Sequence, residues 1–498
     1  MWWNVTAGIV FALTALIAAP LAGVEISFAF DETEGQVTWL TLFSGVFLTG
    51  CLFWWLLMIR RRRFSLIRGA STGVLIAFFS YPMVLLFAEL FQRDWRASAD
   101  AASLPERFLH VLMLSGLSLL TTGFATTVLF AAVGAVMTRV FLRLHPPSAG
   151  TSARRTTGLG LVARRISIAL GWLAATCVAV LAGAFLWLSL MPLDMAKLMD
   201  VPTRTPQITT YVDAITAIDA VRARETEMPL HPRCLSKLLT HGGKVERVVV
   251  FFHGLTNCPA QADELAARFF AMGYNVYIPR LPGHGEADPL TLALADLTAE
   301  DLVEVTEEST GLARGLGDDV VVIGLSAGGV MSSWLAQNSA KADVSLSVAP
   351  FFGPYVVPAW AARAAANLLL VAPNMMVWWN PLETEPNPEM DYAYPRFATH
   401  ALGQVMRLGQ AVEVAAHRVP PLAPAIGVLL NEADVAVSNR LTGEVIAAWR
   451  DHDRQVLLTI LPLSHRLPHD VIDPRQEEAD IDFVYPILFE MTTSDAIR

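Results

Sequence analysis

Charge is scarce in this chain. Only 16% of its 498 residues are Asp, Glu, Lys or Arg, against 54% apolar, whereas a soluble globular domain carries about a quarter charged residues. That shortage excludes one ordinary soluble domain, and the length suggests two or three domains. Cysteine is rare as well: four residues are too few for a disulfide framework to stand in for a core. With 32 Gly and 29 Pro, collagen-like and low-complexity classes are excluded too. The sequence has no HExxH, no pair of CxxC motifs and no Gly-rich phosphate loop, so neither a metal nor a nucleotide cofactor is expected. His241, His253 and His284 have no ligand-like spacing. Positive charge is outnumbered in the second part of the chain. Residues 194–498 carry 22 basic and 38 acidic side chains, a net −16, whereas residues 1–193 carry 14 and 8, a net +6. Nucleic acid needs clustered Lys and Arg, so it is excluded as a partner.

What is present divides at the same place. Residues 1–193 read as a transmembrane domain of about five helices, with apolar stretches at roughly 5–29, 38–59, 69–91, 109–137 and 167–191, each near the length of about 20 residues that a bilayer requires. Met1-Trp2-Trp3-Asn4 has no basic residue, so the first stretch reads as a retained span, not a cleaved signal. Arg60, Arg61, Arg62, Arg63 and Arg68 follow the second stretch, and Arg139, Arg143, Arg154, Arg155, Arg164 and Arg165 follow the fourth. The other two loops hold only Arg93, Arg96 and Arg107. Arginine gathers on the cytoplasmic side, so the N-terminus is expected in the cytoplasm and everything after about residue 192 outside it. Few ionisable groups (Glu25, Glu89, His110) fall in the apolar stretches, all near their ends, so the spans read as an anchor in the lipid bilayer and not as a transport path.

After a segment at 194–229 expected as a linker, residues 230–498 alternate strand and helix. Arg247-Val-Val-Val-Phe-Phe252 is a continuous apolar run, as a strand buried on both faces should be. Strands are expected at 275–279, 319–324, 343–348, 425–430 and 455–461, with helices at 261–272, from Thr298 to near Gly315, and at 327–338 and 440–450, and a final helix from about Gln476. This succession implies a mostly parallel sheet with helices on both faces. Between about 352 and 424 the alternation breaks into a segment rich in large apolar residues, including Trp360, Met375, Met376, Trp378, Trp379, Tyr392 and Tyr394. It reads as an inserted lid over the strand ends.

The chemistry is concentrated at Gly324-Leu325-Ser326-Ala327-Gly328, a G-x-S-x-G nucleophile elbow between an apolar strand and a helix. A serine hydroxyl needs a base, and that base needs an orienting acid. The strand at 425–430 runs into Asn431-Glu432-Ala433-Asp434, where Asp434 is the expected acid and Glu432 the alternative. The last strand leads to Ser464-His465-Arg466-Leu467-Pro468-His469, giving His469 as base with His465 as alternative. The backbone N–H groups of Leu255 and Ala327 are the expected oxyanion donors. His253 reads as structural. Cys234 and Cys258 flank the first buried strand, so a disulfide between them is possible in an oxidising compartment.

His253-Gly254-Leu255-Thr256, Pro282-Gly283-His284-Gly285, the elbow, Asp434 and His469 together resemble bacterial α/β-hydrolases of the serine aminopeptidase and monoacylglycerol lipase type, over roughly residues 230–490. The resemblance implies an α/β-hydrolase fold and a Ser326–His469–Asp434 triad working through an acyl-enzyme, without a cofactor. The apolar lid beside a bilayer points to a small ester or lipid-like substrate, and the apolar stretches with their arginines point to a multi-pass protein of a bacterial inner membrane; the resemblance covers none of the spans. A peptidase, an acyltransferase, or a membrane receptor whose hydrolase-like domain only binds are the alternatives.

Overall fold

Hydrophobic residues that recur without helical or strand alternation can be buried in a protein core or in lipid, and the two parts of this chain use them differently. A computed structural model describes residues 2–21, 26–27, 37–60, 64–91, 123–144, 183–199, 208–379 and 388–493. The chain forms two units, Met1–Met191 and Pro192–Arg498.

In the first unit the apolar stretches are helical: α1 (Trp2–Leu21), α2 (Trp39–Trp54), α3 (Leu66–Phe91) and α4 (Gly123–Leu144). A π-helical turn, Trp55–Ile59, prolongs α2. Glycines let the backbones approach. A Cβ on Gly73 of α3 would run into the carbonyl oxygen of Phe130 on α4, and one on Gly8 would meet Phe47 and Cys51. Ala7, Phe11, Trp54, Ile76 and Phe130 are buried between these helices, while Leu13, Leu48, Leu52, Phe78 and Val136 are exposed. The expectation of five spans requires correction. Among the described residues one helical stretch, Leu42–Ile59, is both long and apolar enough to cross a membrane, while Asn4–Leu16 and Leu66–Ser80 are apolar but shorter. Residues 109–122 and 167–182, with Glu25 and His110, lie outside the described residues.

The second unit is built on a sheet. Its strands are β1 (Lys237–Leu239), β2 (Val245–Phe252), β3 (Asn275–Ile278), β4 (Gly317–Leu325), β5 (Val344–Val348), β6 (Met376–Trp378), β7 (Arg396–Ala398), β8 (Ala425–Asn431) and β9 (Val456–Leu461). Seven of them pair in the order β9-β8-β5-β4-β2-β3-β1, parallel throughout except for β1 against β3. The helices are α5 (Tyr211–Thr226), α6 (Asp263–Ala271), α7 (Ala299–Leu316), α8 (Ala327–Asn338), α9 (Ala362–Val371), α10 (Thr399–Ala416), α11 (Asn439–Asp451) and α12 (Ile481–Thr493). One sheet face presents Val249, Phe251, Val321, Ile323, Leu346 and Leu429 to Leu265 and Phe269 of α6 and Val484 and Leu488 of α12, all buried. Each such side chain contributes about 1.5–3 kcal/mol by leaving water. Helix α7 begins where the Thr298 hydroxyl accepts the Asp301 N–H and the Asp301 carboxylate accepts the Thr298 N–H, a reciprocal cap that satisfies two otherwise orphaned donors.

The differences from the sequence reading have local causes. The supposed linker contains α5, whose single buried row is Ala214, Ile218 and Glu225, too narrow to mark an amphipathic helix. The last helix starts at Ile481, not near Gln476, because Asp473, Pro474 and the residues up to Asp480 form successive turns. The insert between β5 and β8 holds α9, the antiparallel pair β6–β7 and α10. In an open parallel sheet, the crevice for a ligand lies at the carboxyl ends of the strands where the chain order reverses. Here that point lies between β2 and β4.

Candidate active site

The turn after β4, the segment after β2 and the insert come together at this crevice, and a second group of polar residues lies beyond β8. At the end of β4, Ser326 adopts φ 57°, ψ −112°, a left-handed region costly for any residue with a Cβ. Its N–H donates to the Val348 carbonyl at 3.0 Å and its carbonyl accepts the Phe351 N–H at 3.0 Å, so β5 holds the turn from outside. The flanking glycines have a steric cause. A Cβ on Gly324 would strike the carbonyl oxygen of Gly328, and one on Gly328 would strike the carbonyl oxygen of Phe252. Helix α8 starts at Ala327, which places the Ala327 N–H in the first turn, where donors lack helical partners. Ser326 is partly exposed, whereas Ala327 is buried.

At the end of β8 the Asp434 side chain is fully buried. One carboxylate oxygen accepts the N–H groups of Ala436 and Val437, at 2.8 and 3.2 Å, and the other accepts from His469 Nδ1 at 2.6 Å. Two backbone donors thus fix the carboxylate, and the carboxylate fixes the ring. Burial works against a charged imidazole here, but the charge and hydrogen bond of Asp434, helped by Asp470, outweigh it and raise the His469 pKa above its ordinary value. His465 and Glu432 are placed elsewhere. The His465 ring stacks on Phe483, with centroids 3.9 Å apart, and Glu432 accepts the Leu463 N–H.

Beyond β2, the backbone of Gly254 passes close to the nucleophile; the Ser326 Cβ would lie 3.7 Å from a Cβ at that position. Leu255 follows, between two anchored residues. The Gly254 N–H donates to Gln261 Oε1 at 2.8 Å. Thr256, at φ 70°, accepts the Tyr394 N–H at its carbonyl and the Trp379 indole N–H at its hydroxyl, both at 2.8 Å. The insert therefore grips the residue next to the expected oxyanion donor. His253 is fully buried and bonded at both ring nitrogens: Nε2 accepts the Leu281 N–H at 3.2 Å, and Nδ1 lies 3.0 Å from the Gly254 carbonyl. Burial, with His284 and Arg280 nearby, holds its pKa well below the ordinary value. Burial likewise takes His284 down to about 4. These two neutral rings support the loops and are not poised to titrate.

Cys234 and Cys258 are joined in a disulfide with Cα atoms 5.3 Å apart, which ties the segment before β1 to the loop after β2. Tyr392 of the insert packs beside the bridge, lies under the guanidinium groups of Arg233 and Arg475, and donates its hydroxyl to Asp473. No group of three or more His, Cys, Asp or Glu residues suited to a metal occurs among the described residues. Gln261, Trp379 and Tyr394 were not singled out as site residues by sequence. Their roles depend on partners far along the chain, such as the 123 residues between Trp379 and Thr256, and no spacing rule marks them.

The family model described as serine aminopeptidase, S33, matches residues 243–455. A thermostable monoacylglycerol lipase from Bacillus sp. (strain H-257) is 32% identical over 114 residues, a stretch covering 23% of this chain and 43% of the lipase. Among solved structures, the monoacylglycerol lipase of Paleococcus ferrophilus is 17% identical with a TM-score of 0.39, covering 53% of this chain and 99% of that one. A soluble variant of the monoglyceride lipase of Saccharomyces cerevisiae is 11% identical with a TM-score of 0.42, covering 53% and 92%. The parallel sheet, the elbow and the family match make the second unit an α/β-hydrolase fold.

Proposed function

We propose that this protein is a membrane-anchored serine hydrolase that cleaves carboxylic esters of lipid-like alcohols, such as acyl-glycerols or lysophospholipids. The observation that carries this reading is the 2.6 Å hydrogen bond from His469 Nδ1 to the buried Asp434, beyond the carboxyl end of β8 in the same parallel sheet whose strand β4 leads into the strained Ser326. Committing Nδ1 to the carboxylate leaves Nε2 as the base. In the proposed reaction, Nε2 takes the Ser326 proton as Oγ attacks the ester carbonyl, and the Leu255 and Ala327 N–H groups stabilise the oxyanion. The imidazolium then returns the proton to the departing alcohol. Water, deprotonated by the same nitrogen, releases the fatty acid and restores the serine.

The lipid-like substrate class rests on the insert and on the matched relative. Val356, Trp360, Met375 and Trp379 are exposed on the insert, an apolar arrangement suited to an acyl chain. The Bacillus relative, named as a monoacylglycerol lipase, shares with this chain a stretch that spans 43% of its own length. Membrane anchoring is supported by Leu42–Ile59, with a mean hydropathy of 2.0, and by the apolar residues turned outward on the first unit. The arginine distribution favours the catalytic unit outside the cytoplasm, and a disulfide there suits an oxidising compartment.

The test is labelling of the purified full-length protein with a fluorophosphonate. Wild type should label and Ser326→Ala should not; equal labelling would remove Ser326 as nucleophile. A series of monoacylglycerols, lysophospholipids, short-chain esters and aminoacyl-peptides then ranks substrates. Faster turnover of peptides than of every ester would replace the lipase reading with a peptidase.

A further inference from the structure

The residues on either side of the expected oxyanion donor are anchored differently, and one anchor reaches the base. Gln261 is 1% exposed and sits in the 3₁₀ turn Pro259–Ala262 that precedes α6. Its Oε1 accepts the Gly254 N–H at 2.8 Å and its Nε2 donates to Asp470 Oδ2 at 2.6 Å. Asp470 is 7% exposed and adjoins His469 in sequence. Its other oxygen accepts the N–H groups of Ile472 and Asp473, and Gln476 Nε2 reaches Oδ2 at 3.3 Å. A single amide therefore spans from the oxyanion loop to the histidine loop, linking positions 209 residues apart.

We infer that Gln261 is a positioning residue, which sets the register of the Leu255 N–H against the His469 ring through Asp470. The inference rests on the proposed hydrolase reading and adds a residue that neither the triad nor the oxyanion donors include. An amide suits this place because its two ends have opposite roles: the carbonyl must accept from a backbone N–H while the amino group donates to a carboxylate. A shift of either loop moves donor and base relative to each other, and misplacement on the scale of an ångström can reduce rate by about 100-fold.

The chemistry of the bridge gives a test that mere packing would not pass. In Gln261→Glu the new side chain has the same shape. Protonated, it accepts from Gly254 and donates its O–H to Asp470; ionised, it faces the Asp470 carboxylate with no donor. His469, Asp473 and Tyr392 also face this cluster, with Arg233 and Arg475 bound around Tyr392 and Asp473, and Asp263 and Tyr485 beyond them. None of these changes in the variant. Wild-type activity should rise with pH as His469 loses its proton, whereas the Gln261→Glu profile should turn down on its alkaline side. Gln261→Leu should lower kcat at every pH by at least 10-fold with KM within 2-fold. Amide hydrogen exchange should quicken together in the peptides around 254–261 and 466–476.

Coincident wild-type and Gln261→Glu profiles would overturn the inference, as would a change in KM alone or exchange confined to one loop. Fluorophosphonate labelling separates this from failure of the underlying reading. If wild-type Ser326 does not label, the hydrolase reading falls and the positioning role with it. If Ser326 labels in wild type and Gln261→Leu at equal rates, the hydrolase stands and only the positioning role is lost.

Discussion

A single carboxylate governs the behaviour of the His469 ring. Asp434 offers its second oxygen to His469 Nδ1 only because Ala436 and Val437 hold the first. Asp434→Asn keeps the shape but presents either a neutral acceptor or a donor, which favours the wrong imidazole tautomer. We predict a fall in kcat of about 10⁴-fold, the scale known for such a change, with the fold intact by circular dichroism. A loss under tenfold would count against Asp434 as the orienting acid. The pH dependence has a definite sign. The reactive form of His469 is neutral, and Asp434 favours the charged form, so kcat/KM should increase with pH through an inflection above the ordinary imidazole value. Removing the carboxylate charge should move that inflection to lower pH. At this scale the sequence was informative about the turn at Ser326, because Gly324 and Gly328 are required by close backbone contacts there. It left His465 against His469 open, because both follow the same strand. What separates them is a hydrogen bond across 35 residues.

At the scale of elements, legibility followed burial. Strands β2, β4, β5 and β8 could be read within two residues, since strands covered on both faces are written as unbroken apolar runs; the half-buried edge strand β9 was legible from its apolar composition alone. Edge strand β1 and the pair β6–β7 are three residues each, too short to show a period. Helix α7 was marked by its capping box, and it carries a further feature that sequence does not reveal. Glu307 on α7 pairs with Lys341 in the loop before β5, both nearly buried. An ion pair in such a place is costly to break from one side, because the remaining charge has no solvent. Lys341→Met should destabilise the second unit by about 3–5 kcal/mol, measured by urea unfolding. The double variant Lys341→Met, Glu307→Leu should recover most of that loss. Equal losses in the single and double variants would mean that the pair has no mutual dependence.

For the molecule as a whole, charge and hydropathy determine where each unit can reside. The segregation of arginine into two loops and of acid into residues 194–498 predicts opposite sides of one membrane. Fusing alkaline phosphatase after residue 498 should give an active reporter, and fusing it within 145–165 an inactive one; the reverse pattern would invert the proposed orientation. Composition changes abruptly near residue 193, where the sequence reading divides the chain. The helical content beyond it was less legible: α5 has few buried apolar positions to declare it.

The backbone of Ser326 has one more consequence. A side chain held at φ 57° loads a spring of about 1–3 kcal/mol in the folded protein, and nothing about folding requires that spring. Ser326→Gly should therefore melt at a higher temperature than Ser326→Ala, which retains the Cβ, despite glycine's greater freedom when unfolded; an equal or lower melting temperature would show an unstrained turn. Ser326 would then be one of the places where this fold is ill at ease, and a descendant with no use for its hydroxyl could become sturdier by discarding it.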